Sequence, residues 1–352
     1  MAQVAPLTEL HDSVISDVDA KKAHLTSLLK DVSRSFYLTL RVLPPGIRPQ
    51  IGLAYLLART SDTIADTQLV LAEERLKALE ALRERIVGTR EKALEFGKLS
   101  AGQSSPAERI LLERCEVSLE SLRSLASDDL RRVRTVLEII ISGQALDLQR
   151  FAAASAQQVI AVRTDAELED YTYRVAGCVG EFWTRMCRAH VFPKARLNDE
   201  ELLSQSVRFG KGLQLVNILR DLPADLSMGR CYLPEDKLQS IGLSPVALLN
   251  PKHATKLRPL YNIYLEQARE HLLAGWAYTN ALPRRSMRVR LACAWPVLIG
   301  LQTVKLLKQA NMLDPRQRIK ISRRDVKQWM LRSVLYYPWP AAWQALAQRC
   351  QA

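Results

Sequence analysis

Two pairs of aspartates, each four residues apart, are the groups in this chain best suited to chemistry: Asp62 with Asp66 in LLARTSDTIADT, and Asp221 with Asp225 in VNILRDLPADL. On a helix that spacing places both carboxylates on one face, about one turn apart. Charged oxygen donors in that arrangement suit Mg²⁺, which binds through one or two carboxylates and completes its shell with water and substrate phosphate. A cation attends each pair, Arg59 three residues before Asp62 and Arg220 directly before Asp221. Gln214 and Asn217 extend the face of Asp221 by two further turns and add amide oxygens. A lone pair of acids at this spacing is commonplace on a solvated helix. Here the run IGLAYLLA ahead of the first pair makes the acids the polar exception on a helix expected to be buried, where they need partners, and the whole arrangement occurs twice.

Holding such groups requires long helices, and the chain reads as all-α. Apolar residues recur at helical spacing, as at Leu76, Leu79, Leu82 and Ile86, whereas period-2 runs bounded by hairpin turns are lacking. Loops are expected at Leu43–Gly46, around Gly102 to Pro106, and from about Pro223 to Pro251. None has the composition of a flexible tether, and no repeat occurs at solenoid periods. The expected plan is a variable lead over 1–25, one helical domain over 26–330 and a C-terminal tail over 331–352. Pro223, lying between Asp221 and Asp225, is expected to kink or end its helix. The apolar stretch LACAWPVLIGLQTVKLL is interrupted by Pro296, Gln302 and Lys305, and is expected to be a buried helix that the proline kinks or starts rather than a membrane span.

Composition sets outer limits. Of 352 residues, 48% are hydrophobic and 25% charged, which excludes a disordered or fibrous chain. The net charge of +13 points to phosphorylated substrates or anionic lipid. The basic residues are dispersed beside acids and not interleaved with aromatics, so no nucleic-acid partner is expected. The densest basic cluster is Arg316, Arg318, Lys320, Arg323, Arg324 and Lys327. Six cysteines show neither C-x-x-C pairs nor zinc spacing, five histidines form no metal-ligand pattern, and the N-terminus lacks signal-peptide character. A reduced, cytoplasmic protein is the expectation.

In order along the chain, Ser33-Arg34-Ser35-Phe36, Arg59 with Asp62 and Asp66, YTYRVAGCVG from Tyr171 to Gly180, and NILRD from Asn217 to Asp221 with GRCYLP downstream resemble the squalene/phytoene synthases, and within them the squalene synthase branch. The likeness covers roughly 25–330. It implies a single isoprenoid-synthase-type helical bundle around a central cavity, with the acid pairs facing each other and holding Mg²⁺ against prenyl diphosphate substrates. It further implies diphosphate or cofactor-phosphate binding by Arg34, Arg59 and Arg220, and a part for Tyr171 in the first coupling step. RIKISRRDVKQW resembles a stretch that contacts cofactor phosphate in squalene synthases. Lys320 matches a basic ligand there, Ser322 stands where a second basic residue is expected, and Arg323 is the substitute at hand.

The activity so implied is condensation of two farnesyl diphosphates through presqualene diphosphate with NADPH-dependent reduction to squalene. The alternatives are synthesis of phytoene, dehydrosqualene or presqualene diphosphate without reduction, and a non-catalytic helical lipid-binding or assembly factor. Gly177 and Gly180 suit either close approach to prenyl tails or helix packing. Asp147 in GQALDLQRF is a polar candidate at a cavity or on a helix surface, while Glu181 after Gly180 has no evident role. In the tail, Tyr336, Tyr337, Trp339 and Trp343 lie near Arg332 and Arg349, which suggests peripheral attachment to the cytoplasmic membrane surface, with packing on the core as the alternative.

Overall fold

The computed structural model describes residues 25–33, 36–317 and 319–351. Arg34 and Arg318 therefore lie outside the described residues, as does nearly all of the 1–25 lead. The chain divides into two compact units, one of residues up to 41 together with 49–137, the other of 42–48 together with 138–352.

The first unit comprises α1 (25–33), α2 (Phe36–Val42), α3 (Arg48–Asp66), α4 (Ala72–Val87), α5 (Gly97–Ala101), α6 (Pro106–Glu113), α7 (Cys115–Arg123) and the first half of α8 (Ser127–Arg150). Leu28 and Val32 of α1 pack with Leu56 of α3 and Leu111 of α6. On α4 the predicted apolar period is realised, with Leu79, Leu82 and Ile86 buried. Arg85 joins α4 to α7 through both oxygens of Glu116 and spends a third donor on the Arg90 carbonyl at 2.9 Å. A buried guanidinium is tolerable only when paired in this way.

In the second unit the rest of α8 is followed by β1 (Ile160–Ala161), α9 (Asp165–Thr172), a π-helical turn (Tyr173–Gly177), α10 (Cys178–His190), α11 (Asp199–Ser227) and β2 (Arg230–Cys231). Then come α12 (Glu235–Ser240), two 3₁₀ turns (Pro245–Leu249, Pro251–His253), α13 (Ala254–Ala281), α14 (Met287–Gln309), α15 (Arg323–Tyr336) and α16 (Pro340–Gln351). The segment read as irregular from Pro223 to Pro251 thus holds the end of α11, a strand, α12 and a 3₁₀ turn. Helix α11 starts where Asn198 accepts a hydrogen bond from the Glu201 N–H, and Asp199, Glu200 and Glu201 complement the positive end of its dipole. It packs between α10 and α13, and Leu215, Val216, Leu219 and Leu222 face the core.

Of the two outcomes expected at Pro223, a kink or an end, the end does not occur: α11 continues to Ser227. Proline cannot donate to the carbonyl four residues back, and that carbonyl, on Leu219, instead accepts the hydroxyl of the fully buried Tyr261 at 2.9 Å. Helix α14 likewise begins nine residues before Pro296 and runs through it. Its length and hydropathy suffice to cross a membrane, but most of that apolar window is buried inside the protein, as the reading of a buried helix expected.

The glycines of the Tyr171–Gly180 motif serve helix packing. A Cβ on Gly180 would lie 2.0 Å from the Ser206 carbonyl oxygen, so α10 and α11 touch backbone to backbone. Glu181, unexplained in the sequence, accepts the Tyr173 hydroxyl at 3.2 Å and pairs with Arg185 at 3.7 Å.

The tail aromatics pack largely on the core. Trp343 is buried, stacks on Trp276 at 5.2 Å and donates to Asn280 at 2.8 Å, while Tyr337 meets its edge. Arg349 covers the Tyr336 ring, and Arg332 lies over Trp329. Trp339 alone among the four is exposed. All six cysteines are free and buried.

Candidate active site

Helix α3 ends on its acid pair. Burial, and then the neighbouring charge of Asp66, push the Asp62 carboxyl up to about 6. Its side chain is crowded by protein but retains 40% of its exposure, so it can be reached from solvent. Asp66 at the helix end is exposed. Arg59 bridges Asp62 to Glu108 of α6, which fixes the guanidinium beside the pair. Two oxygen donors in mutual repulsion, with a cation alongside, fit a hard divalent ion carrying a diphosphate.

In the second unit, α11 carries Gln214, Asn217, Asp221 and Asp225 at helical intervals on one face, the helix being unbroken across the whole set. Asn217 is exposed, and Gln214, Asp221 and Asp225 are half-buried. Arg220 grips Asp221 with two parallel hydrogen bonds, Nε to Oδ1 at 2.8 Å and Nη2 to Oδ2 at 2.5 Å. In both units, therefore, an arginine is held on the first aspartate of the pair.

A second cluster of this unit was only half visible in the sequence. Tyr171, at the end of α9, stacks on Tyr232 with ring centroids 4.8 Å apart, and Phe151 meets Tyr232 edge-on at 5.3 Å. The Tyr171 hydroxyl donates to that of Tyr232 at 3.4 Å, and Tyr232 donates to Asp147 Oδ2 at 2.8 Å. Burial, followed by the nearby phenol and carboxylate, raises the Tyr232 hydroxyl well above its ordinary value and keeps it protonated. Asp147 is thus a partner of buried phenols. Tyr232 belongs to the quoted GRCYLP stretch, but no spacing rule singled it out. It is set in place by a two-residue parallel pairing, Ile160 with Arg230 and Ala161 with Cys231, that is too short to leave a period-2 signal. Gly229 makes the turn into that strand at φ +79°, where a Cβ would lie 2.3 Å from the Ser155 carbonyl oxygen.

The segment expected to meet a cofactor phosphate is built differently. Lys320 is exposed in the irregular lead into α15. Ser322 is the N-cap of that helix, accepting from the Asp325 N–H at 3.1 Å and donating to its carboxylate at 2.7 Å. Its hydroxyl is spent on the helix.

The squalene/phytoene synthase family model matches residues 29–325. The chain belongs to the squalene/phytoene synthase family. Members are prenyltransferases that condense prenyl diphosphates head to head. Over 305 residues the chain is 32% identical to the presqualene diphosphate synthase of Zymomonas mobilis, covering 85% of this chain and 89% of that protein. It is 27% identical to the 15-cis-phytoene synthase of Synechocystis over 78% of this chain and 71% of that one. Among solved structures, the complex of TcSQS with the ligand E5700 aligns with a TM-score of 0.73 at 20% identity, over 95% of this chain and 98% of that one. A ligand-bound dehydrosqualene synthase aligns at 0.65 and 21%, over 92% and 98%. These likenesses establish the isoprenoid-synthase helical fold, as the squalene/phytoene synthase motifs implied.

Proposed function

We propose that this chain condenses two molecules of farnesyl diphosphate and releases presqualene diphosphate. The observation that carries the reading is the repeated placing of an arginine on the first aspartate of an acid pair, Arg59 on Asp62 and Arg220 on Asp221. The 15-carbon substrate is supported by the relatives named presqualene diphosphate synthases, in Zymomonas mobilis and at 27% identity in Rhodopseudomonas palustris.

In this reaction C1 of one chain loses diphosphate, the C2–C3 double bond of the other attacks it, and a proton leaves as the cyclopropane closes. Presqualene diphosphate, diphosphate and a proton are the products. Asp62 with Asp66, and Asp221 with Asp225, would each hold Mg²⁺, which would supply positive charge to a bound diphosphate. Arg59 and Arg220, already oriented by their carboxylates, donate charge-assisted hydrogen bonds to the diphosphate oxygens. The stacked Tyr171 and Tyr232 rings present a π face that tolerates an allylic cation and excludes water. The hydroxyl chain from Tyr171 through Tyr232 to Asp147 Oδ2 gives the released proton a route to a carboxylate.

Reduction to squalene has weaker support in these residues. A nicotinamide-cofactor phosphate would find Lys320 and Arg323, but the hydroxyl of Ser322 between them is occupied by Asp325. Among the described residues, these groups form no built phosphate cradle. The test is incubation of the chain with farnesyl diphosphate and Mg²⁺, with and without NADPH, and mass spectrometry of the extract. Presqualene diphosphate is expected in both arms. Squalene in the NADPH arm overturns release at presqualene diphosphate, dehydrosqualene assigns unreduced rearrangement, and no turnover by a folded chain assigns a binding role.

A further inference from the structure

The C-terminal helices carry a surface that this chemistry leaves unused. On α15, Trp329 and Ser333 face the core. The opposite side presents Arg324, Lys327, Leu331, Val334 and Leu335 in succession, all exposed. At 3.6 residues per turn these five fall within about 60° of one line and extend about 16 Å along the helix. Leu331 is 59% exposed, Leu335 52% and Val334 41%, and Trp339, three residues past the end of the helix, is 62% exposed. The backbone at Trp339 is fixed, its N–H donating to the Tyr336 carbonyl at 3.0 Å and its carbonyl accepting from Trp343 at 2.9 Å. Its ring projects outward from a rigid turn, and no other tryptophan among the described residues is exposed.

The basic end of the row is equally unspent. Arg323, Arg324 and Lys327 pair with no acid among the described residues, unlike Arg316, which is held by Asp314. Positive charge in the first turns opposes the helix dipole, so α15 gains nothing from these cations. Its start is secured instead by Ser322 and Asp325. Scattered single apolar residues on a surface need no explanation, but a continuous apolar row with a cationic end marks a docking face.

We propose that this face of α15 seats on an anionic bilayer surface, with Leu331, Val334, Leu335 and Trp339 at the boundary of headgroups and acyl chains and Arg324 and Lys327 on lipid phosphates. Charge selects this occupant. A second copy of the chain would bring a further +13 to the same place, whereas an anionic leaflet brings the opposite sign. The aromatic ring beside the cations is suited to the headgroup layer. The inference is independent of which prenyl product the chain releases.

The full chain is sedimented with vesicles of phosphatidylcholine containing phosphatidylglycerol and with phosphatidylcholine alone, at low and high salt. Binding is expected on the anionic vesicles and is expected to weaken with salt. R324E/K327E should lower the partition about tenfold or more, and L331Q/L335Q should lower it at both salt levels, each variant keeping its circular dichroism. On the unmodified chain, iodide quenching of the Trp339 emission, identified by its loss in W339F, should fall when anionic vesicles are added. The proposal is overturned if the chain stays in the supernatant at low salt, if vesicles leave Trp339 fully quenchable, or if both double variants bind as the unmodified chain does. It is also overturned if the unmodified chain is a dimer that L331Q/L335Q splits with vesicle binding unchanged, which assigns the face to self-association.

Discussion

Asp62 is held at a cost that a bound cation would remove. Its folded carboxyl, at about 6, lies above the value of about 3.9 for an unfolded aspartate. The folded state therefore binds the proton more tightly, and stability falls as pH rises from about 4 to about 6. Above that window the ionised pair repels until it is neutralised. Without metal, Asp62→Asn should raise the melting temperature at neutral pH. It should also reduce the melting shift on adding Mg²⁺ and lower coupling by about a hundredfold or more. Melting curves with and without Mg²⁺ check this, and an unchanged Mg²⁺ shift would contradict metal binding there. Protonation competes with the cation, so the shift in the unmodified chain should shrink below pH 6. The acids and arginines were legible because spacing alone places them on a helix face. The pairing of Tyr232 with Asp147, 85 residues apart, was not, because tertiary folding alone brings those groups together.

The elements show where local rules are overridden from a distance. Pro223 signals a helix end, and the signal fails because Tyr261 of α13 supplies the donor that proline lacks to Leu219. Tyr261→Phe should cost about 1–3 kcal/mol by leaving that buried carbonyl unsatisfied. Pro223→Ala restores a backbone N–H, so the double variant should be more stable than Tyr261→Phe alone, as urea unfolding would measure. Equal stability of the two would show that the carbonyl is satisfied otherwise. Helical periodicity was readable across α4 and α11, where one face is buried over several turns. The π-helical turn at Tyr173–Gly177 left no trace in that pattern. It inserts a wider turn where α9 meets α10, in the motif that carries Tyr171, and such turns recur at functional positions. The strands were missed for a related reason, since two residues cannot display an alternation.

For the molecule as a whole, composition anticipated a folded chain and the spacing of apolar residues a helical one. The placement of the tail followed from packing that composition does not encode, with Trp343 going to the core and Trp339 to the surface although four residues separate them. The cysteines carry a consequence of a different kind. Burial raises the thiols of Cys178, Cys231, Cys293 and Cys350 to about 12, and those of Cys115 and Cys187 rise as well. A thiolate reagent at neutral pH consequently meets almost no nucleophile until a segment opens. Cys115 lies in the first unit and the other five in the second. Timed alkylation followed by peptide mass spectrometry would then act as a pair of clocks, Cys115 recording the opening of one unit and the remaining thiols that of the other. If the two units open together, all six labels should appear at one rate. If they open separately, Cys115 should run to its own time, and the native chain would report its cooperativity without an introduced probe.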